Sequence, residues 1–337
     1  MGSVTPLLAV WEAWRASDSR VTAVWVGTAH GPERTVVEAQ GISFLTLPAV
    51  RVPRYFSLEW LTSPFTFLVA FSKAINIVRS QKPNLVASAG GYTAVPIVYA
   101  AKLLGVRVWV HQQDVELTKT TRLTVPFADL VTVAWERNRN DLGDRVKLVG
   151  NPVRPSLLKG SRERSREAFS LNRQKPTVLV VGGGTGSAWI NEAIDTVAGS
   201  LTQHANVIHL TGRNKAIEPQ HPDHHVREFV DEHMADALAV ADVVVCRAGL
   251  ATITELAALS KAAVMIPLPH SPQEANAQMV ADACVVLDQR HTTPEQLLEQ
   301  IVALLGDNKR RADLGAKMHS KLRTHIADEI VEMLKAL

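Results

Sequence analysis

The chain has 337 residues, too many for one ordinary hydrophobic core and enough for two domains of about 150 residues each. Apolar residues make up 46% and charged residues 20%, which excludes a disordered or fibrous chain. There is no apolar run of about 18 residues to cross a bilayer, and two distant thiols, Cys246 and Cys284, give neither a disulfide framework nor a zinc site. Charge is uneven: residues 1–155 hold 17 Lys/Arg against 11 Asp/Glu and the remainder 19 against 22, so a basic half that could meet an anionic surface precedes a slightly acidic one, with no nucleic-acid-binding signature in either.

Met1 to Val10 lacks the basic lead and cleavage site of a secretory signal, so a cytoplasmic setting is expected. It reads as a turn running at once into a helix, with Pro6 in the first turn, where its missing N–H costs little. A Rossmann half should begin with a strand before such a turn, and none stands here, so the expected fold lacks its first strand. Val21–Val26, Asn84–Ala87, Val106–His111 and Leu130–Ala134 read as strands, with helical patterns such as Val95–Leu104 between them. Pro53 to Lys82 interleaves Tyr55, Phe56, Trp60, Phe65, Phe67 and Phe71 with flanking Arg51, Arg54, Lys73, Arg79 and Lys82. That pattern suits a lipid headgroup interface and equally a core helix with solvated ends.

Asn151-Pro152, Arg154-Pro155 and the polar stretch to Arg166 mark a seam. Beyond it the rhythm repeats, with strands at Thr177–Val181, Val207–Leu210, Val243–Cys246, Ala263–Ile266 and Cys284–Leu287. Alternation of strand and helix throughout predicts two α/β domains, each with a parallel sheet. Lys309 to Leu337 reads as one helix, with Leu314, Met318, Leu322, Ile326, Ile330 and Leu334 at helical spacing.

The candidate sites fall where strands hand over to helices. Gly182-Gly183-Gly184-Thr185-Gly186-Ser187 joins a buried strand to a helix over Ala188–Leu201; such a loop presents backbone N–H groups to a phosphate, against the plainer reading of a tight turn. It is not the dinucleotide fingerprint, because no acidic residue ends a following strand at the usual distance. Cys246 to Glu255 repeats the pattern. Thr252 can offer a hydroxyl and an amide at the helix start, and Glu255 is placed either to accept two ribose hydroxyls or to serve as a first-turn carboxylate. Gln273 and Asn276, three apart at a helix start, can hold sugar hydroxyls or cap the helix. In the first half, Gly90, Gly91 and Tyr92 follow one strand. His111 ends another beside Asp114, which makes it a stronger acid–base candidate than the other histidines.

Taken in order, these segments resemble the MurG-type N-acetylglucosaminyltransferases of peptidoglycan synthesis over essentially the whole chain. The resemblance rests on Ser3–Ala9, Gly90-Gly91-Tyr92, His111–Asp114, Gly150–Arg154, Gly182–Gly186, Cys246–Glu255 and Gln273–Asn276, of which Gly150–Arg154 and Cys246–Glu255 are the most specific. It implies a GT-B fold, two Rossmann-like domains facing a cleft. Residues 1–155 would be the acceptor and membrane-facing domain, 156–319 the UDP-sugar domain, and a final helix at about 320–337 would pack back on the first. It implies an inverting, metal-independent transfer of N-acetylglucosamine from UDP-N-acetylglucosamine to undecaprenyl-diphosphate-linked N-acetylmuramoyl pentapeptide at the inner face of the cell membrane, with no cofactor. Donor-binding residues would be Arg154, Gly183, Gly184, Thr185, Gly186, Leu250, Ala251, Thr252, Glu255, Gln273 and Asn276, and acceptor-binding residues Gly90, Gly91 and Tyr92.

The sequence departs from that family at the base. Ser3 stands where a histidine is usual, and Gln112 and Asp114 stand where glutamate and asparagine are usual. Serine is no base at neutral pH without help, so His111 or Asp114 is expected to take the proton. Alternative readings are a related transferase acting on diacylglycerol, a non-catalytic UDP-sugar-binding protein and a UDP-sugar epimerase.

Overall fold

The computed structural model describes residues 2–29, 31, 33–48, 59–91, 93–219, 221–230 and 233–337; the side chains of 59–64 are also outside the description. The chain forms two compact units, Met1–Pro152 with Ile326–Leu337, and Val153–His325.

In the first unit the elements run α1 (Thr5–Ser17), β1 (Val24–Gly27), α2 (Glu33–Glu38), β2 (Ser43–Thr46), α3 (Glu59–Gln81), β3 (Leu85–Ser88), α4 (Ala94–Leu103), β4 (Arg107–Gln112), α5 (Lys119–Thr124), β5 (Leu130–Val133), α6 (Glu136–Leu142) and β6 (Lys147–Leu148). Among the described residues its strands make two parallel sheets, β1-β2 and β3-β4-β5-β6. Its core has two layers: Ala74, Val78, Val98, Ala101 and Val110 pack on one side, while Val10, Trp109, Ile330, Val331 and Leu334 pack on the other. The second layer is closed by α14 (Ala327–Lys335), whose apolar residues recur three and four apart and meet α1.

The second unit contains α7 (Arg162–Ala168), β7 (Thr177–Val181), α8 (Ala188–His204), β8 (Asn206–Leu210), β9 (His224–Arg227), α9 (Met234–Val240), β10 (Val243–Cys246), α10 (Leu250–Ala258), β11 (Ala263–Met265), α11 (Pro272–Met279), β12 (Val285–Val286), α12 (Pro294–Gly306) and α13 (Asn308–Lys321). One parallel sheet runs β12-β11-β10-β7-β8-β9. Numbered from β7, its order is 3-2-1-4-5-6, the doubly wound arrangement that places ligands outside the carboxyl ends of the first and fourth strands. Strands β7, β8, β10 and β11 are buried at every residue, which is why they are mostly apolar rather than alternating. Among the described residues of the first unit no strand precedes α1 and none joins the β1-β2 sheet to the β3-β4-β5-β6 sheet.

One sequence-based expectation is corrected. The single helix over Lys309–Leu337 is two helices separated at Leu322–Ile326. Leu322, Thr324 and Ile326 are buried while Arg323 and His325 are exposed, the period-two burial of extended chain, and the Thr324 carbonyl accepts from the Val153 amide at 3.0 Å. Leucine and isoleucine four residues apart satisfy a helical pattern equally well, so the break is invisible to spacing alone.

Candidate active site

In the second unit, three strand-to-helix turns carry the expected donor residues. Gly182 leaves no room for a side chain, because a Cβ would lie 2.3 Å from the Ser187 amide nitrogen. Gly183 has φ +88° and Gly186 φ +69°, and a Cβ on Gly186 would lie 2.0 Å from the Thr211 carbonyl oxygen. The loop closes by a Gly186 amide to Gly183 carbonyl bond of 2.9 Å; Thr185 is exposed and Gly184 half-buried. Buried Ser187 then caps α8, its Oγ accepting from the Ile190 amide at 3.3 Å.

After β10, the cap of α10 is Gly249, which has no side chain to satisfy the first-turn N–H groups. Leu250 is buried, and Ala251 and Thr252 are half-buried on that first turn. Glu255 follows one turn on, half-buried. Loss of water around its carboxyl pushes its pKa up to about 7, with Arg154 acting in the opposite direction through its positive charge. Arg154 thus reaches the surroundings of Glu255 from the start of the second unit.

The third turn follows β11. Ser271 caps α11, and His270 beside it has φ +55°. The Gln273 side-chain oxygen accepts from the Leu268 amide at 3.0 Å, which leaves its NH2 as the group that can face a sugar. Asn276 is buried and donates to the Ala248 carbonyl at 3.3 Å, tying the third turn to the second. Both residues therefore cap or brace locally.

In the first unit, Gly90 and Gly91 have φ of +99° and +98°, and the Gly90 amide donates to Ser88 Oγ at 3.2 Å. A Cβ on Gly91 would lie 3.6 Å from Ser3 Oγ, and one on Gly2 would lie 3.7 Å from Gln113 Nε2. Ser3, Gly91 and Gln113 therefore gather where α1 begins and β3 and β4 end. Tyr92 lies outside the described residues, as do Met1, Tyr55 and Phe56 of the stretches singled out from sequence.

His111 is buried, and both ring nitrogens are engaged: Nδ1 meets Thr132 Oγ1 at 2.9 Å and Nε2 meets Asn151 Oδ1 at 2.8 Å. Trp109 Nε1 donates to the same Thr132 oxygen at 2.8 Å, so the hydroxyl can donate to Nδ1 while Nε2–H donates to Asn151. Burial lowers the pKa of His111 to about 4 against the opposing Asn151 bond. A neutral imidazole with both nitrogens occupied is a strut. Half-buried Asp114 lies in the following loop, which Gln112 holds by donating to the Asp114 and Glu116 carbonyls at 2.7 and 3.0 Å. Asn138 donates to the Asp114 carbonyl as well, at 3.2 Å.

Sequence reasoning gave no role of their own to Ser187, Asn151, Thr132 and Arg247, although Ser187, Asn151 and Arg247 stand inside the motifs it singled out. Ser187 was legible as the last polar residue before an apolar helix. The other three act through long-range contacts that carry no local signature.

Fold and sites together define a nucleotide-sugar glycosyltransferase of the GT-B class. Residues 1–133 match the glycosyltransferase family 28 N-terminal domain and residues 177–331 the family 28 C-terminal domain. A UDP-N-acetylglucosamine–N-acetylmuramyl-(pentapeptide) pyrophosphoryl-undecaprenol N-acetylglucosamine transferase of Clostridium kluyveri is 32% identical over 312 residues, covering 90% of this chain and 88% of its own. Its counterpart in Desulforamulus reducens is 30% identical over 357 residues, covering 100% and 96%. The crystal structure of MurG from Acinetobacter baumannii superposes with a TM-score of 0.69 at 26% identity, covering 98% of this chain and 95% of that one. The chain belongs to the MurG family of N-acetylglucosaminyltransferases.

Proposed function

We propose that this protein moves N-acetylglucosamine from UDP-N-acetylglucosamine to the 4-hydroxyl of a lipid-linked N-acetylmuramoyl pentapeptide, inverting the anomeric centre. The observation that carries the reading in this molecule is the second turn of the Val153–His325 unit. A glycine-capped helix leaves its first N–H groups open to a phosphate, and a half-buried carboxylate one turn on is neighboured by an arginine. Glu255 would accept the ribose hydroxyls, Thr252 and the glycine loop would hold the diphosphate, and Gln273 and Asn276 would hold the sugar. As the bond from C1 to the diphosphate breaks, charge grows on the leaving oxygen, and the helix N-termini with Arg154 would stabilise it.

The acceptor proton is assigned to Asp114. His111 supports the strand that leads to it, and Ser3, Gly90, Gly91 and Tyr92 would line the acceptor side. Asp114→Asn should lower kcat by about a thousandfold while UDP affinity holds, and turnover within twofold of wild type would remove Asp114 as the base.

The first unit would bind the inner membrane face through α3, where Phe65, Leu68 and Val69 are 72%, 60% and 55% exposed and lie on one stripe, with Lys73 one turn further. Among the described residues no helix is long and apolar enough to cross a membrane. Flotation with vesicles rich in anionic lipid should carry the wild type and leave behind a Phe65→Ser/Leu68→Ser variant; equal flotation of both would remove the stripe from the interface.

The activity test is transfer of radiolabel from UDP-N-acetylglucosamine into the lipid fraction with the lipid-linked muramoyl pentapeptide as acceptor. Label in lipid supports the reading. Binding of UDP-N-acetylglucosamine without label points to diacylglycerol or another acceptor, or to a binding protein.

A further inference from the structure

Among the described residues, two charged side chains of Asp, Glu, Lys and Arg are buried in the second unit, Asp236 and Arg247. Asp236 is paired, with Arg164 at 2.7 Å. Arg247, 8% exposed, makes no ion pair with any described residue, and all four of its hydrogen bonds go to neutral acceptors. Nη1 donates to the carbonyls of Ile266 and Pro267 at 3.1 and 3.2 Å, and Nη2 donates to Ser187 Oγ and Gln289 Oε1 at 2.7 Å each.

These four acceptors are not scattered. Arg247 directly follows β10; Ser187 ends the glycine loop after β7; Ile266 and Pro267 follow β11; Gln289 follows β12. Strands β12, β11, β10 and β7 are consecutive in the sheet, so one guanidinium ties together the carboxyl ends of four neighbouring strands. Its bond to Ser187 falls on the hydroxyl that caps α8, and its bonds to 266 and 267 fix the start of the segment that carries Gln273.

A guanidinium taken out of water without a carboxylate is strongly disfavoured unless something nearby carries the opposite charge. Here it lies against the positive end of α8 and two residues before Gly249, the side-chain-less cap of α10, so the local field is positive from three sources. We propose that Arg247 is the positioning residue of the donor site. Its fork holds the glycine loop and the sugar-side segment in register, and its unpaired charge leaves the site short of one anion, which the donor diphosphate supplies. This rests on the family reading of the second unit as the UDP-sugar site. Lysine could keep the charge but could not reach four acceptors in a plane.

The test uses the full-length chain and the variants Arg247→Met, Arg247→Lys and Gln289→Leu. Calorimetric affinities for UDP and for uridine, which lacks phosphates, are compared with kcat and KM for UDP-N-acetylglucosamine and with melting temperature. Arg247→Met should weaken UDP about tenfold to a hundredfold and uridine by less than about threefold. Arg247→Lys should recover part of the UDP affinity and leave donor KM raised. Gln289→Leu, which removes one acceptor and no charge, should raise donor KM about threefold with uridine affinity unchanged.

UDP affinity within twofold of wild type in Arg247→Met, equal loss of UDP and uridine, or full rescue by Arg247→Lys would each overturn the proposal. If Arg247→Met does not fold, Arg247→Lys and Gln289→Leu decide it, unchanged donor KM in both being the overturning result. Wild-type protein that transfers sugar while these variants match it leaves the family reading intact. Wild-type protein that binds no UDP removes both.

Discussion

Glu255 holds its proton near neutrality because burial disfavours the carboxylate more than Arg154 favours it. A protonated carboxyl can accept fewer ribose hydroxyls than an ionised one. Donor affinity should therefore rise as pH increases through about 7 and level off above it, where Glu255 is ionised, and fall on the acid side. Titration calorimetry of UDP between pH 6 and 9 checks this. Glu255→Gln should bind weakly and show no such dependence; a flat wild-type profile would place the ribose elsewhere. The reversed case is His111, where burial favours the neutral imidazole, so its proton inventory does not change across the same range.

Among the elements, the glycine loop gives the sharpest contrast. Alanine at Gly183 meets no atom within 4 Å and suffers only from its φ of +88°, at a cost of about 1–2 kcal/mol. Alanine at Gly186 adds a Cβ 2.0 Å from a backbone oxygen to a φ of +69°, so loop and neighbouring chain must part. Gly186→Ala should lower the melting temperature and UDP affinity well beyond Gly183→Ala; equal losses would mean the loop rearranges freely. That loop was legible because a buried strand, a cluster of glycines and a capping serine follow each other within a few residues. So were most of the strands and their parallel arrangement, since buried parallel strands leave short apolar runs between helical patterns, whereas the strand order is set by long-range pairing. Ser43–Thr46, Lys147–Leu148 and His224–Arg227 went unread as strands, being short and carrying at most two consecutive apolar residues. Within the site, Thr252 and Glu255 were visible from their place after a strand. Arg247 stood in the same motif, yet its role depends on contacts 19 to 60 positions away, which no local pattern encodes.

At the scale of the molecule, the two units answer acid differently. In the second, His209 is stacked on His224, with Nδ1 3.2 Å from His224 Nε2, and burial followed by the His224 charge drives the pKa of His209 down to about 3. His224 and His225 are lowered too, mainly by burial. Among the described residues the first unit has one such histidine with a resolved shift, His111. A histidine whose folded pKa lies below its unfolded value leaves stability intact above about 6.5 and removes it as pH falls below that, because the unfolded chain binds the protons. Glu255 in the same unit works the other way, its raised pKa adding stability as pH falls through about 7, so the comparison is made in Glu255→Gln. Calorimetric scans of that variant from pH 7.5 to 5 should show the transition of the Val153–His325 unit falling faster than that of the other. Parallel shifts would mean these imidazoles take up protons without unfolding.

The return of the chain to its first unit has a consequence for synthesis. The Val153–His325 unit is continuous, so all of its residues have been made before Ile326–Leu337 are added. The first unit is assembled from two separate stretches of the chain: Val10, Trp109 and Leu130 await Ile330, Val331 and Leu334 to cover them. A premature stop after His325 would spare the later-made half and leave the earlier-made half with a bare apolar face, open to chaperones and proteases. Residues 326–337 thus act as a completeness check on residues translated between about two hundred and more than three hundred codons earlier.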